Sequence, residues 1–89
     1  MAERAIRTEA LRAGRARHIG SVVLLPIERV VLHSARGGRG LWVLADKRPH
    51  ALVVRDASGV RGIDAAGATV PLDALRAEVP GLDAALAAL

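Results

Sequence analysis

The 89-residue sequence predicts a single α+β domain: an antiparallel β-meander of about five or six short strands with short C-terminal helices, preceded by a weak N-terminal helix or arm. Three observations carry this expectation. β-Branched and leucine-rich runs fill residues 22 to 55, turn-forming residues punctuate them at short intervals, and beyond Pro71 the apolar spacing becomes helical. A chain of this length has room for one domain and hides only roughly 60 to 65% of the surface its unfolded form exposes.

Residues 2 to 17 are rich in Ala, Arg and Glu, which favours helix. Their only large apolar residues, Ile6 and Leu11, stand about 140° apart on a helical wheel, so one face cannot bury both. The segment therefore reads as a weak helix or frayed arm. On this division residues 1–18 form a basic arm and residues 19–89 one β-rich domain with C-terminal helices.

From Ser21 the composition turns to strand formers, first Val22-Val23-Leu24-Leu25 and then Ile27-Glu28-Arg29-Val30-Val31-Leu32-His33. Pro26, between them, lacks a ladder donor and marks an edge, a bulge or a break between two short strands. The glycine-rich stretch Ser34 to Gly40 leads to a strand over Leu41–Ala45. Asp46–His50 reads as a polar turn before the strand Ala51–Arg55. Gly59 suits a hairpin closed with a bulge, Val60–Asp64 returns, and Ala65-Ala66-Gly67 turns the chain into Ala68-Thr69-Val70.

Leu72, Leu75, Val79, Leu82, Leu86 and Leu89 are spaced for one helical seam. Pro80 removes a helix hydrogen bond at a cost of about 3 kcal/mol and Gly81 adds about 1 more. Two helices, near 71 to 79 and 80 to 88, are expected to cover one face of the sheet.

Composition excludes several classes. The chain has no Cys, hence no disulfide framework, thiolate zinc site or cysteine nucleophile, and a reducing compartment fits. A cytoplasmic location is expected, because the N-terminus is charged and the longest apolar run, Val22 to Ile27, falls far short of the roughly 18 residues of a membrane span. Residues 1 to 40 hold eight Arg against three acids, and residues 41 to 89 hold five basic groups against six acids. Attraction to polyanions therefore belongs to the first half.

No catalytic constellation emerges. His33-Ser34 is the only close hydroxyl–imidazole pair, and neighbours on a strand point to opposite faces. His18, His33 and His50 have no metal-ligand spacing, and the aspartates fall mostly in turns and helix starts, so neither cofactor nor metal is expected. Arg36-Gly37-Gly38-Arg39 is the candidate anion site, since free amides beside two guanidiniums make a cradle. A phosphate loop would require Gly-Lys-Ser/Thr and a following helix; a glycine-rich hairpin or interface loop is the simpler reading. Arg4, Arg7, Arg12, Arg15 and Arg17 add charge for weak nucleic-acid binding, but single-strand recognition usually adds stacking aromatics, and Trp42 is the only aromatic residue.

Two stretches carry a resemblance: Leu25-Pro26-Ile27-Glu28-Arg29-Val30 leading into Arg36-Gly37-Gly38, and Pro49-His50-Ala51-Leu52-Val53-Val54 leading to Gly59-Val60-Arg61. Over residues 20 to 64 the chain resembles the YtfJ-like family of sporulation and spore-germination proteins. There a Pro-centred hydrophobic strand runs into a glycine-rich segment, and a second Pro-led strand precedes an Asp-Gly-Val-Arg hairpin. The family's long glycine tract is shortened here to Gly37-Gly38-Arg39-Gly40, and Lys47-Arg48 stand before Pro49. The resemblance implies a cytosolic, non-enzymatic protein with no active site to carry over.

The expected role is that of a self-associating structural or adaptor protein, with a nucleic-acid or anion binder using the basic half as the alternative. Runs apolar on both faces, such as Val22–Leu25 and Leu52-Val53-Val54, belong to strands covered on both sides. Two short helices can shield only one face. A second copy is the expected cover for what remains, which makes a homo-oligomer the expected state.

Overall fold

The computed structural model describes residues 4–38 and 40–89. Strands β1 (Arg4–Ala13), β2 (Arg17–Ile19), β3 (Val22–Gly37), β4 (Gly40–Asp56), β5 (Gly59–Asp64) and β6 (Thr69–Val70) precede helices α1 (Leu72–Glu78) and α2 (Leu82–Ala87). One antiparallel sheet holds them in the order β1-β3-β4-β5-β6, and β2 pairs with β3 further along the edge that β1 occupies. The β-rich α+β class, the meander-like order and the two C-terminal helices are as the sequence predicts.

The N-terminal segment differs from expectation. Arg4–Ala13 is not a weak helix or arm but a ten-residue strand registered on β3 from Arg4↔Arg36 to Ala13↔Ile27. A strand resolves the problem that Ile6 and Leu11 posed for a helix, because residues five apart lie on opposite faces of a sheet. Leu11 and Ala13 pack against the core, whereas Ile6 is exposed on the other side. A free edge on β3 outweighs the helix preference of Ala, Arg and Glu, since pairing satisfies the backbone along the whole segment.

Nor are the central strands short. β3 and β4 span 16 and 17 residues and run through both expected interruptions. At Pro26 the break falls in the neighbouring strand instead: Gly14-Arg15-Ala16, three residues, span Leu25 and Pro26, two residues, between the end of β1 and the start of β2. The Gly14 amide donates to the Pro26 carbonyl at 2.8 Å. In an antiparallel ladder a residue's N and O point the same way, so the missing Pro26 donor faces this irregular gap. The polar stretch Asp46–His50 is likewise strand, with a register shift opposite Ile27/Glu28 that leaves His50 as the extra residue. Its backbone pairs with β3, and β5 reaches only residues 51–56, so β4 residues 40–50 form an open edge where Pro49 needs no second partner.

The core unites Leu25, Ile27, Ala51 and Val53 of the sheet with Leu75 and Leu82 of the helices and Val79 just after α1. Pro80 and Gly81 separate the helices as expected; Gly81, at φ +81°, precedes α2 in a left-handed conformation. The helices cover one end of one face only. Beyond it β1, β3 and β4 continue as a three-stranded ribbon, giving a molecule 59 × 23 × 23 Å in extent.

Candidate functional site

The ribbon's distal end contains the sequence-predicted anion site. Gly37 pairs with Gly40, so the glycine-rich stretch lies where β3 folds back into β4, with Gly38 at φ +50°. Arg36 is exposed and lines a hollow of ≈ 290 Å³ with Ile6, Ser34 and Leu41. Arg39 lies outside the described residues. Trp42 pairs with Ala35 and Leu41 with Arg36, so Trp42 and Arg36 occupy opposite faces. The aromatic and the cation therefore form no joint surface for a stacked base.

Along the ribbon the two faces diverge in chemistry. On the side that bears the helices further down, Arg7 contacts Glu9 at 3.1 Å, Arg29 contacts Glu9 at 3.1 Å, and Arg48 contacts Asp46 at 3.1 Å. These five residues and Val31 surround a hollow of ≈ 280 Å³, where three guanidiniums meet two carboxylates. Sequence reading did not find this cluster, because it depends on the registers Glu9↔Val31, Val31↔Asp46 and Arg29↔Arg48. The pairs are solvated, and exposed ion pairs contribute at most about 1 kcal/mol each.

The opposite face carries an apolar patch. Ile6, Thr8 and Ala10 of β1, Leu32 and Val30 of β3, and Leu41, Val43 and Ala45 of β4 share it. Ile6, Leu32, Leu41 and Val43 are all exposed there, and among the described residues no helix covers the face. Arg12, Arg17, Arg36 and Lys47 fall on the same face; Arg12 contacts Glu28 at 3.4 Å. At the β4 bulge, Pro26, Pro49 and Leu52 floor a hollow of ≈ 400 Å³ rimmed by Glu28, Lys47 and Asp64.

The remaining candidate groups stay apart. His18 pairs with Val23 and His33 with Leu44, while His50 lies 3.3 Å from Glu78. Ser34 and His33 point to opposite faces. Asp56 and Asp64 serve turns: the Ser58 amide donates to Asp56 at 2.9 Å, and the Ala66 and Ala68 amides donate to Asp64 at 2.9 Å. Asp56 also holds Arg61 at 2.9 Å. Arg61, through its hydrogen bond, and the Ser58 amide hold the Asp56 carboxyl below its ordinary pKa, while Asp56 raises that of Arg61. Among the described residues no group of three or more His, Cys, Asp or Glu is placed to hold a metal ion, and no helix is long and apolar enough to cross a membrane.

No protein-family model matches the chain, and no curated protein or solved structure matches it either.

Proposed function

We propose that this protein is a small, non-enzymatic, self-associating structural or adaptor module of the sporulation-protein type, acting in the cytoplasm. One observation carries the reading: the chain is too extended for a self-sufficient monomer. Its radius of gyration is 16.7 Å, against about 12 Å for a compact domain of this length. Its accessible surface is 6360 Å², against roughly 5,000 Å² for a monomer of this mass. The ribbon leaves Ile6, Leu32, Leu41 and Val43 exposed on one face, the arrangement that assembly removes. The YtfJ-like resemblance of residues 20–64 rests on its motifs and supports the same kind of role. The cytoplasm suits a chain without cysteine. Sedimentation velocity of the full chain at micromolar concentration tests the proposal: a dimer or larger species is expected, and a monomer across that range overturns it.

A second reading has one observation in its favour. Arg12, Arg17, Arg36 and Lys47 share the uncovered face, so a polyanion lying along it would meet several cations. If the protein binds single-stranded nucleic acid tightly at physiological salt and Arg36→Ala with Arg39→Ala abolishes the complex, this reading replaces the first.

A further inference from the structure

Leu41, Trp42, Val43 and Leu44 are 61%, 55%, 60% and 58% exposed, four consecutive large apolar residues on one strand. Successive strand residues point to opposite faces, so a partner lying on either face would cover only two of the four. A contact from the side reaches all of them. That side is the outer edge of β4, which over residues 40–50 has β3 on one flank and, among the described residues, no strand on the other. The peptide groups along an open edge present unpaired N–H and C=O groups, a template for another strand.

The two ribbon edges are not equivalent. β1 carries Arg7, Glu9 and Arg12, and charge is a usual guard against edge pairing. From Leu41 to Ala45 β4 carries none; its first charges are Asp46, Lys47 and Arg48, followed by Pro49. We infer, building on the proposed self-association, that two copies join by antiparallel pairing of their β4 edges over Leu41–Ala45, continuing the sheet from one chain into the next. A segment placed antiparallel to itself across a twofold axis is self-complementary, which makes a second copy the occupant that needs no further matching. Area points the same way. The surface excess over a compact monomer is roughly 1,400 Å², and a standard stable interface takes roughly 800 Å² from each partner. The ribbon also projects beyond the helix-covered end, which sets this edge away from the helices.

The test combines sedimentation with cross-linking of the full chain. Trp42→Lys with Leu44→Lys places two charges on the edge at exposed positions, and the dimer is expected to weaken at least about tenfold with circular dichroism unchanged. Because the chain has no cysteine, single cysteines at 42, 43, 44 and 45 report proximity directly. Oxidation is expected to yield a covalent dimer from one or two neighbouring positions in this window, and none from Thr8→Cys on the β1 edge. A wild-type monomer overturns both this inference and the proposed function. A wild-type dimer that resists the double-lysine change and cross-links only through Thr8→Cys or Leu32→Cys overturns the edge geometry alone and leaves self-association standing. Loss of a nucleic-acid complex or of a different bound protein in the double-lysine variant, with wild type otherwise monomeric, assigns the edge to that partner and also overturns the inference.

Discussion

Gly62 shows how a single side chain sets the distance between layers. It is buried on β5 opposite Val53, beneath α1. A Cβ there would lie 2.7 Å from Leu75 Cδ1, 3.0 Å from Val70 Cγ2 and 3.0 Å from the Val70 carbonyl oxygen. Replacing glycine in a strand ordinarily gains about 0.5–1 kcal/mol, whereas overpacking a core costs about 1–3 kcal/mol. The second effect wins because one of the atoms met is backbone. Gly62→Ala is therefore expected to lower the denaturant midpoint by a net amount of about 1 kcal/mol; an unchanged or higher midpoint would show that α1 yields freely. Asp56 acts at the surface and through charge. Its folded pKa is depressed by Arg61 and by the Ser58 amide, so its contribution is present above the unfolded value near about 3.9 and disappears as pH falls through the folded value. Asp56→Asn is expected to reduce stability slightly at pH 7, with the difference closing below about pH 4 in a pH series of urea melts. A difference that persists into acid would assign the effect to the turn rather than to the charge.

Among elements, β1 departs furthest from what the sequence predicts, and its pairing changes what dynamics to expect. Its two halves have different support: Leu11 and Ala13 pack on the core, whereas Ile6 is exposed and Arg7 makes only a surface contact with Glu9. Backbone protection follows local burial. Amides that β1 donates to β3 between Glu9 and Ala13 should exchange nearly as slowly as those of Val53 and Val54, and those between Ala5 and Thr8 should exchange markedly faster. Uniformly fast exchange from Ala5 to Ala13 would show that the strand detaches as a unit. The helices behave otherwise. With seven and six residues they are too short to persist alone, and Leu75, Val79 and Leu82 hold them to the sheet.

At the scale of the molecule, stability and assembly are linked. A dimer that holds the folded chain must melt at a temperature that rises with protein concentration, by mass action. Heating scans from low to high micromolar concentration are expected to show that rise. A melting temperature independent of concentration would mean that the helix-covered end alone holds the fold, and that the ribbon is stable without a partner.

The sequence was sufficient for features set by local chemistry. Val22–Leu25, Ile27–His33, Leu41–Ala45 and Ala51–Arg55 read as strands from their composition, Gly59 and Gly67 adopt the positive φ values that their turns required, and Pro80-Gly81 had to divide the C-terminal seam. Of the candidate site, the hairpin at Gly37–Gly40 was visible in its glycines, but its place at the tip of a long ribbon was not. Tertiary structure alone decided the rest. Arg4–Ala13 became a strand because β3 offered it an edge. Asp46–His50 remained in β4 because six paired residues before them and five after them outweighed their turn propensity. Arg7, Glu9, Arg29, Asp46 and Arg48 met only once that register was fixed. Local patterns report what a residue prefers by itself, whereas the pairing of these segments depends on partners 14 or more residues away. Such partners leave no mark in the residues they join.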